Sequence, residues 1–304
     1  MDSARQNGPN MTTNQRRLIS TPDGRQLEAY LSGPEQGTVL VYHTGTPSAG
    51  PLFGQMVSAG VARGLRVVSW SRPGYAGSTR LPGRSVGQVA DDVRTVLDAL
   101  GAERCYVAGE SGGGPHTLAT AALLPERVIA AATIASVAPY PAEGLDWMAG
   151  MGAENIEEFG AALAGPSELE AFLDRFADAL ASITPSEVAD SLGDLIPEVD
   201  RAALTGAFAE AAAASLRASV SSGIWGWFDD DVAFTTSWGF ELADVRVPVT
   251  VWQGKQDRMV PYPHGEWLAA HIPGSQLRLV PELGHLSLEV DAFPRVLHEL
   301  LANG

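Results

Sequence analysis

Ser111 stands in Gly109-Glu110-Ser111-Gly112-Gly113, between a strand-like run, RCYVAGE (104–110), and a helix-like run that begins GPHTLATAALL. A G-x-S-x-G turn between strand and helix forces the serine into a strained conformation and exposes its hydroxyl at the sheet edge. A side chain at either outer glycine would collide with the neighbouring strand or helix. The helix behind the turn directs backbone N–H groups and a partial positive charge toward the hydroxyl. With 33 glycines in the chain the pattern could arise by chance, and its position between that strand and that helix gives it weight.

A serine hydroxyl needs a base, and the base needs an orienting carboxylate. His285, in Leu283-Gly284-His285-Leu286, follows the last strand-like run. Asp257, in Gly254-Lys255-Gln256-Asp257-Arg258, follows the run before it. Both are expected at the edge that carries Ser111, with Asp146 the next acid in line. His43 ends a strand, His116 lies inside the helix after Ser111, and His264, His271 and His298 fall on helices, where packed or surface roles prevail. None has metal-ligand spacing with carboxylates or cysteines, so no metal and no cofactor are expected. The developing oxyanion would take the N–H of Gly112 and a second donor from the loop His43-Thr44-Gly45-Thr46-Pro47-Ser48.

The elements that must position these residues read as alternating strands and helices. Strand-like runs cover 16–20, 25–32, 37–43, 65–71, 104–110, 128–137, 247–254 and 276–281. The first two are joined by Pro22-Asp23-Gly24 and read as an antiparallel hairpin. Helix candidates lie near 51–63, 85–101, 111–124, 263–271 and 291–302. Near-continuously apolar strands alternating with helices predict a mostly parallel eight-stranded sheet covered on both faces.

After the sixth strand the composition changes. Residues 141–240 carry 18 acidic and three basic side chains, a net of −15 within a chain total of −16. The segment reads as helical. Ser167–Ser182 has Leu169, Phe172, Leu173 and Phe176 at helical spacing behind a Ser167/Glu170 capping box, and a longer stretch runs from about 197 to 220. Its acids are expected on solvated faces, leaving a mobile layer. Its tryptophans, with Trp147, Trp225, Trp227 and Trp238 as candidate substrate contacts, serve equally well as the layer's own core. The expected domains are a disordered tail over 1–14, a core over 15–140 and 241–304, and a helical acidic cap over 141–240.

GESGGG (109–114 within its strand and helix), GTPS (45–48), SRPGYAGS (71–78), GKQDRMVP (254–261) and GH (284–285) together resemble the α/β-hydrolase superfamily, in its cap-bearing serine-hydrolase branch of esterases and proline iminopeptidases. The order Ser111, Asp257, His285 is that fold's order of nucleophile, acid and base. The resemblance implies those roles for the three residues and oxyanion donors at Thr46 and Gly112, with Gly45 the alternative to Thr46. In the family the loop begins His-Gly, whereas here His43 lies one place early. The turn at 71–78 begins with Ser71 where the family has Asp. A serine nucleophile excludes the family's epoxide and halide chemistry, which uses aspartate.

The function expected is hydrolysis of a carboxylic ester or related acyl compound through an acyl-enzyme. The alternatives are a proline iminopeptidase-like enzyme, whose cationic substrate would suit the acidic layer, and a non-hydrolytic receptor on the same fold. The partner expected is a small-molecule acyl substrate. The acidic balance excludes a general nucleic-acid or anionic-membrane binder, and no run approaches the ~20 apolar residues of a membrane helix. One cysteine, Cys105, excludes an internal disulfide. Without an apolar leader at the start, a cytoplasmic location is expected.

Overall fold

The structure, a computed structural model, describes residues 14–304, so the tail expected over 1–14 lies, apart from Asn14, outside the described residues. The strands are β1 (Gln15–Ser20), β2 (Gln26–Ser32), β3 (Val39–His43), β4 (Arg66–Trp70), β5 (Cys105–Glu110), β6 (Val128–Ile134), β7 (Val249–Gly254) and β8 (Gln276–Val280). They form one sheet in the order β1-β2-β4-β3-β5-β6-β7-β8. β2 pairs antiparallel with both β1 and β4, and every other pair is parallel. Each strand falls on one of the eight runs read from the sequence.

The helices are α1 (Gly54–Val61), α2 (Val89–Ala99), α3 (Gly113–Leu123), α4 (Ala153–Ala164), α5 (Pro166–Ser182), α6 (Val188–Ser191), α7 (Glu198–Ala203), α8 (Gly206–Ser219), α9 (Trp225–Phe234), α10 (Pro263–His271) and α11 (Leu286–Ala302). Alternate residues of one strand enter opposite cores, as the period of two requires. Val39, Val41, Cys105 and Val107 pack with Val93, Val96 and Leu118 of α2 and α3. Leu40, Tyr42, Tyr106 and Ala108 pack with Met56 of α1 and Leu288, Phe293 and Val296 of α11. Cys105 is wholly buried, and burial pushes its thiol up to about 12. α4 to α9 lie between β6 and β7.

Three helix boundaries depart from the sequence reading. α5 starts at Pro166 with Gly165 as its N-cap and no side-chain cap, so the Ser167/Glu170 box does not form; proline at the first helical position needs no N–H partner. The stretch 197–220 divides into α7 and α8, because Thr205 adopts an extended backbone before Gly206. The last helix begins at Leu286 rather than near 291 and runs through Pro294. Not all the acids of the inserted segment are solvated either: Glu158, Asp200, Asp229, Asp230 and Asp231 are buried.

Candidate active site

β5 runs straight into α3, and Ser111 lies at the junction with φ +52°. That left-handed conformation is costly for a non-glycine residue, and the sheet holds it. The Ser111 N–H donates to the Ile134 carbonyl at 2.8 Å, while its own carbonyl accepts the Gly114 N–H at 2.9 Å. The glycines have the reason expected: a Cβ on Gly109 would meet Thr117 Oγ1 at 2.6 Å, and one on Gly113 would meet the His43 carbonyl oxygen at 2.1 Å.

His285 Nδ1 lies 2.8 Å from Asp257 Oδ2. The carboxylate accepts that N–H, which leaves Nε2 as the ring's basic nitrogen. Asp257 also accepts the Met259 and Val260 N–H groups at 2.9 and 2.8 Å and the Gln253 side-chain amide at 3.0 Å. Burial pushes Asp257 above the ordinary carboxylate range. Burial alone would lower His285, but the charge and hydrogen bond of Asp257 outweigh it and raise the imidazole. Asp146 is exposed on the surface.

The other buried histidines are poor bases. Burial first, then the nearby Arg72 charge, lowers His116 to about 3, and its Nδ1 lies 2.9 Å from the Gly112 carbonyl. Burial lowers His264 to about 4; its Nδ1 accepts the Ala138 N–H, so Nε2 donates to the Trp147 carbonyl. Burial lowers His43 well below its usual value, next to Thr120.

Thr46 and Gly112 adjoin: a Cβ on Gly112 would lie 2.4 Å from Thr46 Oγ1. Among the described residues neither backbone N–H has an acceptor, whereas the Gly45 N–H donates to Glu110 Oε1 at 2.5 Å. Gly45 is thus already committed. The loop is fixed from behind by Arg72, which donates to the carbonyls of Thr44 and Gly45 and to Thr46 Oγ1. Arg72 in turn pairs with Asp230 of α9 at 2.6 Å, as does Arg84. Thr46 Oγ1 and the Tyr75 hydroxyl also donate to Asp230. Burial would raise this carboxyl, but the two guanidinium groups hold it well below the usual range.

Two cavities meet at Ser111. One, of about 190 Å³, is bounded by Ser111, His285, Glu110, Glu289 and Phe208. The other, of about 440 Å³, runs from Ser111 and Thr46 to Glu154, Glu158 and Trp227. Neither is lined by Lys or Arg among the described residues. Burial raises Glu110 and Glu158 to about 7 each, against hydrogen bonds from the Gly45 N–H and the Trp227 indole respectively. Of the four tryptophans named from sequence, Trp227 alone lines either of these two cavities. Trp147 donates to the Ala138 carbonyl and packs on Phe159, Trp238 is core, and Trp225 lies under the Arg80 guanidinium. No described cluster of three or more His, Cys, Asp or Glu could hold a metal ion.

A family model described as alpha/beta hydrolase fold matches residues 38–292. The chain belongs to the α/β hydrolase fold family. A member from Cupriavidus pinatubonensis, a 2-hydroxy-6-oxononadienedioate/2-hydroxy-6-oxononatrienedioate hydrolase, is 25% identical across 94% of this chain and 95% of its own. The 3-oxoadipate enol-lactonase 1 of Acinetobacter baylyi is 24% identical across 89% and 90%. The solved esterase from Exiguobacterium antarcticum shares the fold with a TM-score of 0.69 at 19% identity, over 95% of this chain and all of that one. Against this α/β hydrolase background the missing Asp at Ser71 has a local replacement. Glu28 of β2 accepts the Gly77 N–H at 3.1 Å and the Ser71 hydroxyl at 3.3 Å, so the carboxylate under the turn comes from the neighbouring strand. No described helix is long and apolar enough to cross a membrane.

Sequence reasoning missed Arg72, Asp200, Asp230 and Gln253. Asp229-Asp230-Asp231 within an aromatic run was a usable signal, since acids among core residues must find cations or bind protons.

Proposed function

We propose that this chain is a serine hydrolase of carboxylic esters or related acyl compounds, with Ser111 as nucleophile, His285 as base and Asp257 as the orienting acid. The carrying observation is the His285–Asp257 contact of 2.8 Å beside a cavity that His285 shares with Ser111. The Ser111 oxygen attacks the acyl carbon as its proton passes to His285 Nε2. The same proton then leaves with the alcohol, and water, deprotonated by His285, releases the acid from the acyl-enzyme. The Thr46 and Gly112 N–H groups receive the oxyanion, since the Gly45 N–H is occupied. The segment 141–240 acts as a cap that closes the site from water.

The cavities of this chain do not suit a dioate substrate of the kind named for that relative. A dianion buried beside Glu110, Glu154, Glu158 and Glu289, with no lining cation, would pay its desolvation uncompensated. A neutral or cationic acyl group fits better. Glu154 and Glu158 on the cavity that reaches Ser111 are the observation favouring the second reading, an aminopeptidase of the proline iminopeptidase kind.

Parallel assays on p-nitrophenyl acetate and prolyl-naphthylamide, with Ser111→Ala as the blank, separate these readings. Ester turnover and fluorophosphonate labelling at Ser111 are expected. Dominant prolyl cleavage would overturn the ester reading, and absence of labelling in folded protein would leave a receptor.

A further inference from the structure

We propose that Asp200, carried into the core by the inserted helix α7, is a positioning residue that holds the base by capping the N-terminus of α11. The proposal rests on the reading of His285 as that base. Asp200 is wholly buried. Its Oδ2 accepts the His285 backbone N–H at 2.8 Å, and its Oδ1 accepts the Ser287 N–H at 2.8 Å and the Ser287 hydroxyl at 2.6 Å. Ser287 Oγ in turn accepts the Gly284 N–H at 2.8 Å. The chain packs so closely here that a Cβ on Gly284 would lie 2.5 Å from Asp200 Oδ2.

The first N–H groups of a helix have no intrahelical partner, and a carboxylate placed there satisfies them and meets the positive end of the dipole. Usually a residue of the same helix does this. In α11 the N-cap position is His285 itself, whose ring is engaged with Asp257, so the cap comes from another element. No cation pairs with Asp200 among the described residues, so the N–H donors and the dipole are what compensate its burial. Two carboxylates therefore fix His285: Asp257 sets the ring and Asp200 sets the backbone from which the ring projects. Because α7 belongs to the segment between β6 and β7, displacement of that segment would release the base.

Asp200 also contributes charge. The groups facing His285 are Asp257 after β7, Asp200 on α7 and Glu110 at the end of β5, with Glu289 one turn along α11. All are acidic, and a negative charge nearby favours the imidazolium. Removing the Asp200 charge therefore lowers the pH at which the ring loses its proton. The acid limb of kcat/KM, which reports the free base, moves with it.

The test compares D200N, S287A and H285A with the parent. It measures p-nitrophenyl acetate kinetics across pH and the His285 ring resonance by NMR titration. D200N is expected to lose about 10- to 100-fold in kcat with KM changed by less than about threefold, since a small misplacement of a catalytic group costs that much. Its acid limb and its His285 titration both move to lower pH. S287A removes two hydrogen bonds, the one its hydroxyl donates to Asp200 and the one it accepts from the Gly284 N–H, and no charge, so it is expected to lose kcat severalfold with the acid limb unmoved. Folded D200N with parental kcat and parental titration would overturn the proposal. If D200N does not fold, S287A decides: a kcat loss supports the role and parental kcat overturns it. Should H285A keep its activity, the assignment of the base fails instead, while the titration in D200N still reads the hold of Asp200 on His285.

Discussion

The carboxyl edge of the sheet and the helices between β6 and β7 use carboxylates in opposite ways. At the edge, Asp257 is buried with an imidazole as its nearest base, and burial pushes it up. In α9, Asp230 is buried as deeply but faces two guanidinium groups, which hold it well down against the same burial. The number of neighbouring cations decides the direction. An acid left with one titratable partner keeps its proton affinity responsive to what binds beside it; an acid clamped by two permanent cations does not. The first arrangement suits chemistry and the second suits a seam. Arg72, Arg80 and Arg84 come from the sheet side, whereas Asp229 and Asp230 come from the insertion, so that seam is made of two buried ion pairs at Asp230 and a half-buried one between Arg80 and Asp229. The high acidity of the segment, which suggested a loosely held mobile layer, is thus partly spent in fastening it.

If the edge is the chemical half, its variants should change rate and leave stability alone. Ser111→Ala and His285→Ala are each expected to lower kcat by about 10⁶-fold, and Asp257→Asn by about 10⁴-fold, with unchanged thermal midpoints. A Ser111 or His285 variant within tenfold of the parent would remove that residue from the mechanism. The seam should behave the other way. Asp230→Asn leaves Arg72 and Arg84 buried without their counter-charge, a change that costs about 3–5 kcal/mol in comparable pairs. A thermal midpoint lowered by about 10 °C is expected by calorimetry, with lost activity following because Arg72 carries the Thr44–Thr46 loop. An unchanged midpoint in Asp230→Asn would break the contrast between the two regions.

What the sequence made legible follows the same division. The strands, the elbow and the loops bearing Asp257 and His285 are specified locally: an apolar run, a glycine whose missing Cβ is required, a turn at a strand end. The start of α11 at Leu286 was not legible, because its cap, Asp200, lies 85 residues upstream on another helix. The same holds for Asp230, whose partners Arg72 and Arg84 lie about half the chain away. Helical spacing can place an acid on a face, but only tertiary contact shows whether that face meets water or a guanidinium. Thr46 rather than Gly45 as the free donor was undecidable for a related reason. It depends on the Glu110 side chain reaching across to the Gly45 N–H.

Glu158 sharpens the comparison, since it is buried in the insertion without a cation among the described residues. Its Oε1 accepts the Trp227 indole N–H at 2.5 Å, Asp231 lies beside it, and burial raises it from 4.5 to about 7. In the unfolded chain the same group titrates near 4.5. Between these values the folded protein binds more protons than the unfolded one, so stability falls as pH rises through that window. Glu158→Gln keeps an acceptor for Trp227 and removes the titration. The variant should match the parent near pH 4.5 and exceed it above pH 7 by up to about 3 kcal/mol, which is a few degrees in thermal midpoint. The difference between the two proteins across pH is the quantity to measure, because every titrating group that does not touch Glu158 cancels in it, and Asp231, whose upward shift Glu158 contributes to, is the neighbour that moves with it. Parallel pH profiles would mean that Glu158 is ionised in the folded state, compensated by a cation as Asp230 is by Arg72 and Arg84.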